Sequence, residues 1–322
     1  MVKVRGGFIL LQGMILCCCV VLFAVSGTWA DQIERLEFDL NGGYRVDQLD
    51  WNIADFDGNP DILSELAWND LTIYQIGTRG KLTMSNEHWW FATSLRGVAD
   101  YGLVTAGDNQ DSDYNGDNRT LEFSRSNNSS KEGEVYDLSV GVGTQFPPQG
   151  RNFIVTPMVG YSYHRQNLTM TDGYQTVASH PQTQPEGIIV GLDSTYDSIW
   201  KGPWAGLELE YFMTKKFMIR FNGEWHRAEF RGLADWNLRS DLQHPISFRH
   251  RAEAGTGLVG DLSMGYAFND KWALNLTYVY QKWQVENGTI RFYMSAGGTQ
   301  EQPLNEVNWE SYSGMLGVTR LF

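Results

Sequence analysis

The sequence predicts an all-β fold: a single ten-stranded antiparallel transmembrane β-barrel with short periplasmic turns and long extracellular loops. Three observations carry this. Apolar and polar residues alternate in segment after segment; Phe217, Ile219, Phe221 and Trp225, for example, are interleaved with Arg220, Asn222, Glu224 and His226. One face of such a strand suits lipid and the other water. The connections fall into short and long kinds that strictly alternate, as they must when successive ones lie on opposite sides of a membrane. The chain closes on an alternating run, Gly314 to Phe322, ending in an aromatic carboxyl terminus suited to the last strand of a barrel, with Arg320 a departure where that pattern has an apolar residue.

The elements follow in order. Lys3 and Arg5 precede an apolar stretch from Phe8 to Val25, and Thr28-Trp29-Ala30 then offers a cleavage site ahead of Asp31. This is the anatomy of a secretory signal peptide over residues 1–30, leaving 31–322 as the barrel. The three cysteines, Cys17, Cys18 and Cys19, all lie in the leader. The remainder has no disulfide framework, thiolate metal site or cysteine nucleophile. Strands are expected at 34–53, 62–82, 88–103, 132–146, 153–171, 188–213, 217–231, 250–268, 271–285 and 307–322. Short turns fall at Ser85-Asn86-Glu87, Pro147-Pro148-Gln149-Gly150, Thr214-Lys215-Lys216 and Asn269-Asp270. Long connections cover 54–61, 104–131, 172–187, 232–249 and 286–306. Aromatics near strand ends, such as Trp89, Trp90 and Phe91 or Trp309 and Tyr312, suit a girdle at headgroup level. His164, Glu208, Glu210, Arg220 and Glu224 are expected to neutralise one another inside the barrel, because buried charges need partners.

The formal net charge is −13, and loss of Lys3 and Arg5 with the leader makes it −15. So acidic a chain excludes nucleic acid as a partner. Its expected partners are outer-membrane lipid and lipopolysaccharide, a peptide or protein substrate, or a host surface ligand, and the chain is expected to be a monomer.

Ser64-Glu65-Leu66-Ala67-Trp68 entering the second strand, Asp111-Ser112-Asp113 in the second outer connection and Gly206-Leu207 in the sixth strand carry a resemblance. In strand order and loop length, nearly the whole chain beyond the leader resembles the omptins, outer-membrane surface endopeptidases. The resemblance implies an Asp-x-Asp pair facing an Asp-x-His pair, with a nucleophilic water between them and no cofactor. Asp111 and Asp113 take the first place. The second lands on Asp235-Trp236-Asn237, so that Asn237 stands where the base belongs. Asparagine cannot take a proton from water, whereas a neutral imidazole can. His244 is the alternative base; His250 and His226 also lack the Asp-x-His spacing. On this alignment Asn237→His should raise cleavage of basic peptides. The resemblance also implies lipopolysaccharide contact, for which Arg165 is a candidate.

A rival reading covers the same acids. Asp111, Asp113, Asn115 and Glu122 fit a calcium-loop template of alternating oxygen ligands closed by a bidentate carboxylate. Asn118 occupies its usual apolar position, and strands rather than helices flank it. A plain solvated acidic loop with Asp108 and Asp117 is the simplest account. Three functions therefore stand open: a surface endopeptidase, a non-catalytic adhesin or binding barrel, and a small pore that interior side chains would plug.

Overall fold

A tilted strand crosses a bilayer in about 9–11 residues, yet most strands here run to twice that length. The computed structural model describes residues 33–85, 90–147, 152–181 and 183–322. The leader expected at 1–30 lies outside them, as do Asn86, Glu87 and Pro148 to Gly150 of the first two short turns. The strands are β1 (Ile33–Ile53), β2 (Ser64–Ser85), β3 (Ala92–Gly116), β4 (Thr120–Ser129), β5 (Gly133–Gln145), β6 (Phe153–Ala178), β7 (Gly187–Ile188), β8 (Asp193–Phe212), β9 (Phe217–Asp235), β10 (Phe248–Asn269), β11 (Trp272–Tyr293) and β12 (Thr299–Leu321).

Antiparallel pairing closes the sheet on itself, with β12 meeting β1 from Glu37 opposite Leu321 to Ile53 opposite Leu304. Ten strands form the ring at every level. β3 pairs with β5 from Ala92 to Leu103 and then with β4 from Asp108 to Gly116, so β4 takes the place of β5 in the upper tier. β6 makes the same exchange on the other side, and the two-residue β7 adds to its end.

The expected ten-stranded, antiparallel, all-β architecture is therefore present, with one correction to the connections. Much of the long connection at 104–131 is the end of β3, a hairpin and β4, and most of 286–306 is the continuation of β11 and β12. The cause is an inversion of pattern along each strand. In β1 the inward residues Glu37 and Asp39 give way to Leu49, Trp51 and Ile53, while outward Leu40 and Tyr44 give way to Gln48. Below the inversion the wall is apolar outside and polar inside. Above it the wall is apolar inside, as in a soluble protein.

Adjacent-strand pairs Tyr44–Tyr74, Tyr101–Tyr136 and Tyr280–Tyr312, with ring centroids 5.8, 5.1 and 5.1 Å apart, mark an upper girdle. At the short-turn rim the Arg320 guanidinium lies 4.8 Å from the Trp272 ring and 5.1 Å from Phe322. A cation at headgroup level, held over two aromatic faces, accounts for arginine at an apolar position.

The lower interior is the expected charge network. Lys81 lies 2.6 Å from Glu208 and 3.0 Å from Glu210, Arg220 holds Glu37 at 2.6 Å and Glu210 at 2.8 Å, and Arg96 binds Asn222 at 2.6 Å and also Glu224. The upper interior is an apolar plug in which Trp68, Trp200, Trp283 and Trp309 are each less than 2% exposed. Trp283 stacks on Trp309 at 5.7 Å and Trp68 on Tyr196 at 5.2 Å.

Candidate functional site

The mouth at the long-connection end is built on this plug. Asp111 and Asp113 sit at alternate positions of β3, so they share a face. Asp111 is opposite Leu66 and Asp113 opposite Ser64. Leu66 is fully buried in the plug, which places both carboxyls on the inner side of the wall. Burial first, then the neighbouring Asp113, pushes the Asp111 carboxyl well above the ordinary aspartate range, against the pull of Arg239. Burial also raises Asp113, while Ser64 and Ser124 on the flanking strands oppose it by hydrogen bonding. Two like charges this close cannot both ionise cheaply.

The cation whose field opposes this rise is Arg239. It belongs to residues 236–247, between β9 and β10, a segment pinned at several points. The Trp236 amide donates to Ser247 Oγ at 2.9 Å, and the Ser247 amide to the Ala234 carbonyl at 2.7 Å. The Gln243 amide donates to the Tyr293 carbonyl at 2.8 Å, clipping the segment to β11. Arg239 is itself held in a two-pronged pair with Asp241, at 2.8 and 2.7 Å. That pair, ahead of Asp113 and Asp111, raises the guanidinium's pKa.

The other half of the expected constellation lies elsewhere. Asp235 is the last residue of β9, paired with Thr195. Its neighbour Ala234 is buried in the plug opposite Phe248, and the Trp236 ring packs 4.8 Å from Phe248. Strand alternation therefore turns Asp235 to the outer side of the wall, opposite to Asp111 and Asp113. There His244 Nδ1 donates to Asp235 Oδ1 at 2.6 Å, with the two side chains 40% and 28% exposed. A carboxylate can only accept, so Nδ1 carries a proton and Nε2 is the nitrogen turned away from Asp235.

Asn237 holds the backbone. Its Oδ1 accepts from the Asp193 amide and from Ser194 Oγ, both at 3.0 Å, and its Nδ2 donates to the Gly191 carbonyl at 2.7 Å. It ties the β9–β10 connection to the start of β8 and to Gly191 just before it. His250 and His226 are inside the barrel, each 1% exposed. His250 is bonded to Tyr196 Oη at 2.8 Å, and His226 lies 3.0 Å from Ser162 Oγ and 3.1 Å from Glu224.

The residues of the calcium template do not wrap around a centre. Asp111, Asp113 and Asn115 lie along an extended strand, the hairpin turns at Asn118 and Arg119 with φ of 56° and 59°, and Glu122 is bound in two prongs by Arg125, at 2.7 Å each. Among the described residues no group of three or more His, Cys, Asp or Glu side chains is placed to hold a metal.

Sequence reasoning named His244 as the alternative base beside Asp235 but missed that this pair faces outward and that Arg239 bears on the acids, since both depend on how the β9–β10 connection folds back. One signal was available. His244 is one of only six histidines, and it lies in an outer connection.

A family profile described as Pom, Protochlamydia outer membrane protein, matches residues 39–322. No curated protein matches the chain. Among solved structures, the outer membrane protease OmpT from Escherichia coli superposes with a TM-score of 0.74 at 13% identity, covering 90% of this chain and 97% of that one. At this identity the likeness shows the fold. The translocator domain of the autotransporter NalP from Neisseria meningitidis (TM-score 0.34, 14% identity, 98% and 95% covered) and OprG from Pseudomonas aeruginosa (TM-score 0.31, 13% identity, 89% and 95% covered) are more distant.

Proposed function

Because the chain belongs to the Protochlamydia outer membrane protein family and is an integral outer-membrane barrel of omptin-like fold, we propose that its extracellular mouth is a recognition surface for a protein or peptide ligand, built on a protease-like scaffold whose water-activating chemistry has been dismantled. The observation that carries this reading is the environment of the Asp111–Asp113 pair. The pair lies on the inner face with no histidine beside it in register, while the Asp235–His244 pair alternates to the other side of the wall. Without an imidazole facing the acids, a water between them has no base. The plugged upper lumen favours surface recognition over passage through the barrel.

One observation supports a second reading, the omptin-type endopeptidase. The 2.6 Å Asp235–His244 contact orients an imidazole at the rim with Nε2 turned away from Asp235. If the β9–β10 connection swings inward on binding substrate, Nε2 takes a proton from water as the water oxygen attacks the scissile carbonyl. The protonated imidazole then returns that proton to the leaving amine.

Turnover of basic peptides in lipopolysaccharide-containing micelles separates the two. Recognition without hydrolysis gives no cleavage by wild type, Asp113→Ala or Asn237→His, because a histidine at 237 would lose the amide's three hydrogen bonds to residues 191–194. Cleavage by wild type that falls by about 10²-fold or more in His244→Ala would establish the endopeptidase instead.

A further inference from the structure

On the outer wall, well above the girdle, two arginine pairs stand in direct cross-strand register: Arg231 of β9 opposite Arg251 of β10, and Arg249 of β10 opposite Arg291 of β11. All four side chains are exposed, and they line one groove of about 1120 Å³ where a bulge in β10 follows Ala252 and the β10–β11 ladder is interrupted between Arg251 and Thr256. Like charges directly opposite each other on a sheet are destabilising. Two such pairs side by side, in a chain of net charge −13, break a local rule without any gain to the fold. Three of the four have carboxylate partners: Arg231 with Glu229, Arg251 with Glu253 at 2.7 Å and Arg291 with Glu301. Pairs this exposed contribute little and yield readily to a multivalent anion. Among the described residues Arg249 has no carboxylate partner and lies 5.7 Å over the Tyr293 ring.

From this arrangement we infer that the outer face of β9, β10 and β11 is a binding surface for an extracellular sulfated polysaccharide. All four cations are arginines, whose planar forks bind sulfate and phosphate oxygens in two prongs where lysine offers a point charge. At about 5 Å across strands and about 7 Å along a strand, Arg231, Arg251, Arg249 and Arg291 follow a staggered line across β9, β10 and β11, which suits a linear polymer with charges on successive sugars. Height decides the source. Arg291 is eleven residues beyond Tyr280 on β11, which at about 3.4 Å per tilted residue is roughly 25–30 Å above the girdle. That is beyond the phosphates of the membrane's own lipid headgroups. The wall is separate from the inward-facing acid pair, so this inference stands independently of what the mouth does.

The test is binding of a fluorescent heparin octasaccharide to the full mature chain in zwitterionic nanodiscs. Wild type should bind, and binding should weaken as salt is raised. The double variant Arg249→Ser with Arg291→Ser should bind at least about tenfold more weakly. The double variant Arg227→Ser with Lys282→Ser, which removes the same charge lower on the wall, should stay within about twofold. Heat-modified mobility on gels verifies that each variant is folded. No binding by wild type, equal loss in both double variants, equal binding of neutral dextran, or displacement of the octasaccharide by purified lipopolysaccharide at equal concentration would overturn the inference.

Discussion

At the scale of single residues, Asn237 and Asp111 show how position alters the meaning of a side chain. Asn237 occupies the sequence slot of a catalytic base, yet its amide accepts twice and donates once to the backbone and side chain of residues 191–194. A histidine cannot repeat that set with two ring nitrogens. Asp111 has a consequence for stability. Burial and Asp113 raise its folded pKa, so the folded chain keeps a proton that the unfolded chain releases above about 3.9. Stability therefore falls as pH rises through the window between the unfolded value and the raised folded one, and below that window no difference remains. Asp111→Asn removes this term. Its unfolding temperature should exceed that of wild type at pH 8, with the gap closing towards pH 3.5. A wild type more stable than the variant at pH 8 would mean that the carboxylate has a stabilising partner.

At the scale of elements, the determining feature is the inversion of pattern along each strand. Below the girdle β1 and β12 present Leu40 and Leu316 outward, while above it they present Leu49 and Trp309 inward. The upper half of each strand is thus held by a core of soluble-protein type rather than by lipid. Trp283 is 1% exposed and stacked on Trp309, whereas its neighbour Gln284 faces out. Trp283→Ala should cost about 3–5 kcal/mol in a urea titration of the micelle-bound protein, and Gln284→Ala about 0.5 or less. Equal costs would mean that the upper wall is stabilised by its hydrogen-bond ladder and not by the plug.

At the scale of the whole molecule, closure of β12 on β1 leaves the ring without an open edge, and charge pairs line a cavity of about 210 Å³ in the lower interior while aromatics fill the upper. The mature chain should therefore migrate faster unheated than boiled on a denaturing gel, show a β-type circular dichroism spectrum in detergent, and pass no resolvable current in a planar bilayer. Stepwise conductance by wild type would show that the plug opens. The four stacked or buried tryptophans would then be its gate.

The sequence by itself determined the compartment, the strand count and the alternation of short and long connections. Each of these rests on local pattern: a period of two, turn residues, and an amphipathic face matched to lipid. The charge network around Glu208 and Arg220 was also legible, because residues that cannot face lipid must find partners inside. Tertiary structure decided where the strands end and what the mouth presents. Above the girdle the solvent on the two sides of the wall is exchanged, so the same alternation carries the opposite sign and reads locally as loop. The site depended on more distant relations still. Asp235 meets His244, and Arg239 bears electrostatically on Asp111, only because a twelve-residue connection folds back under the hold of Asn237 and Ser247. No periodicity encodes that path.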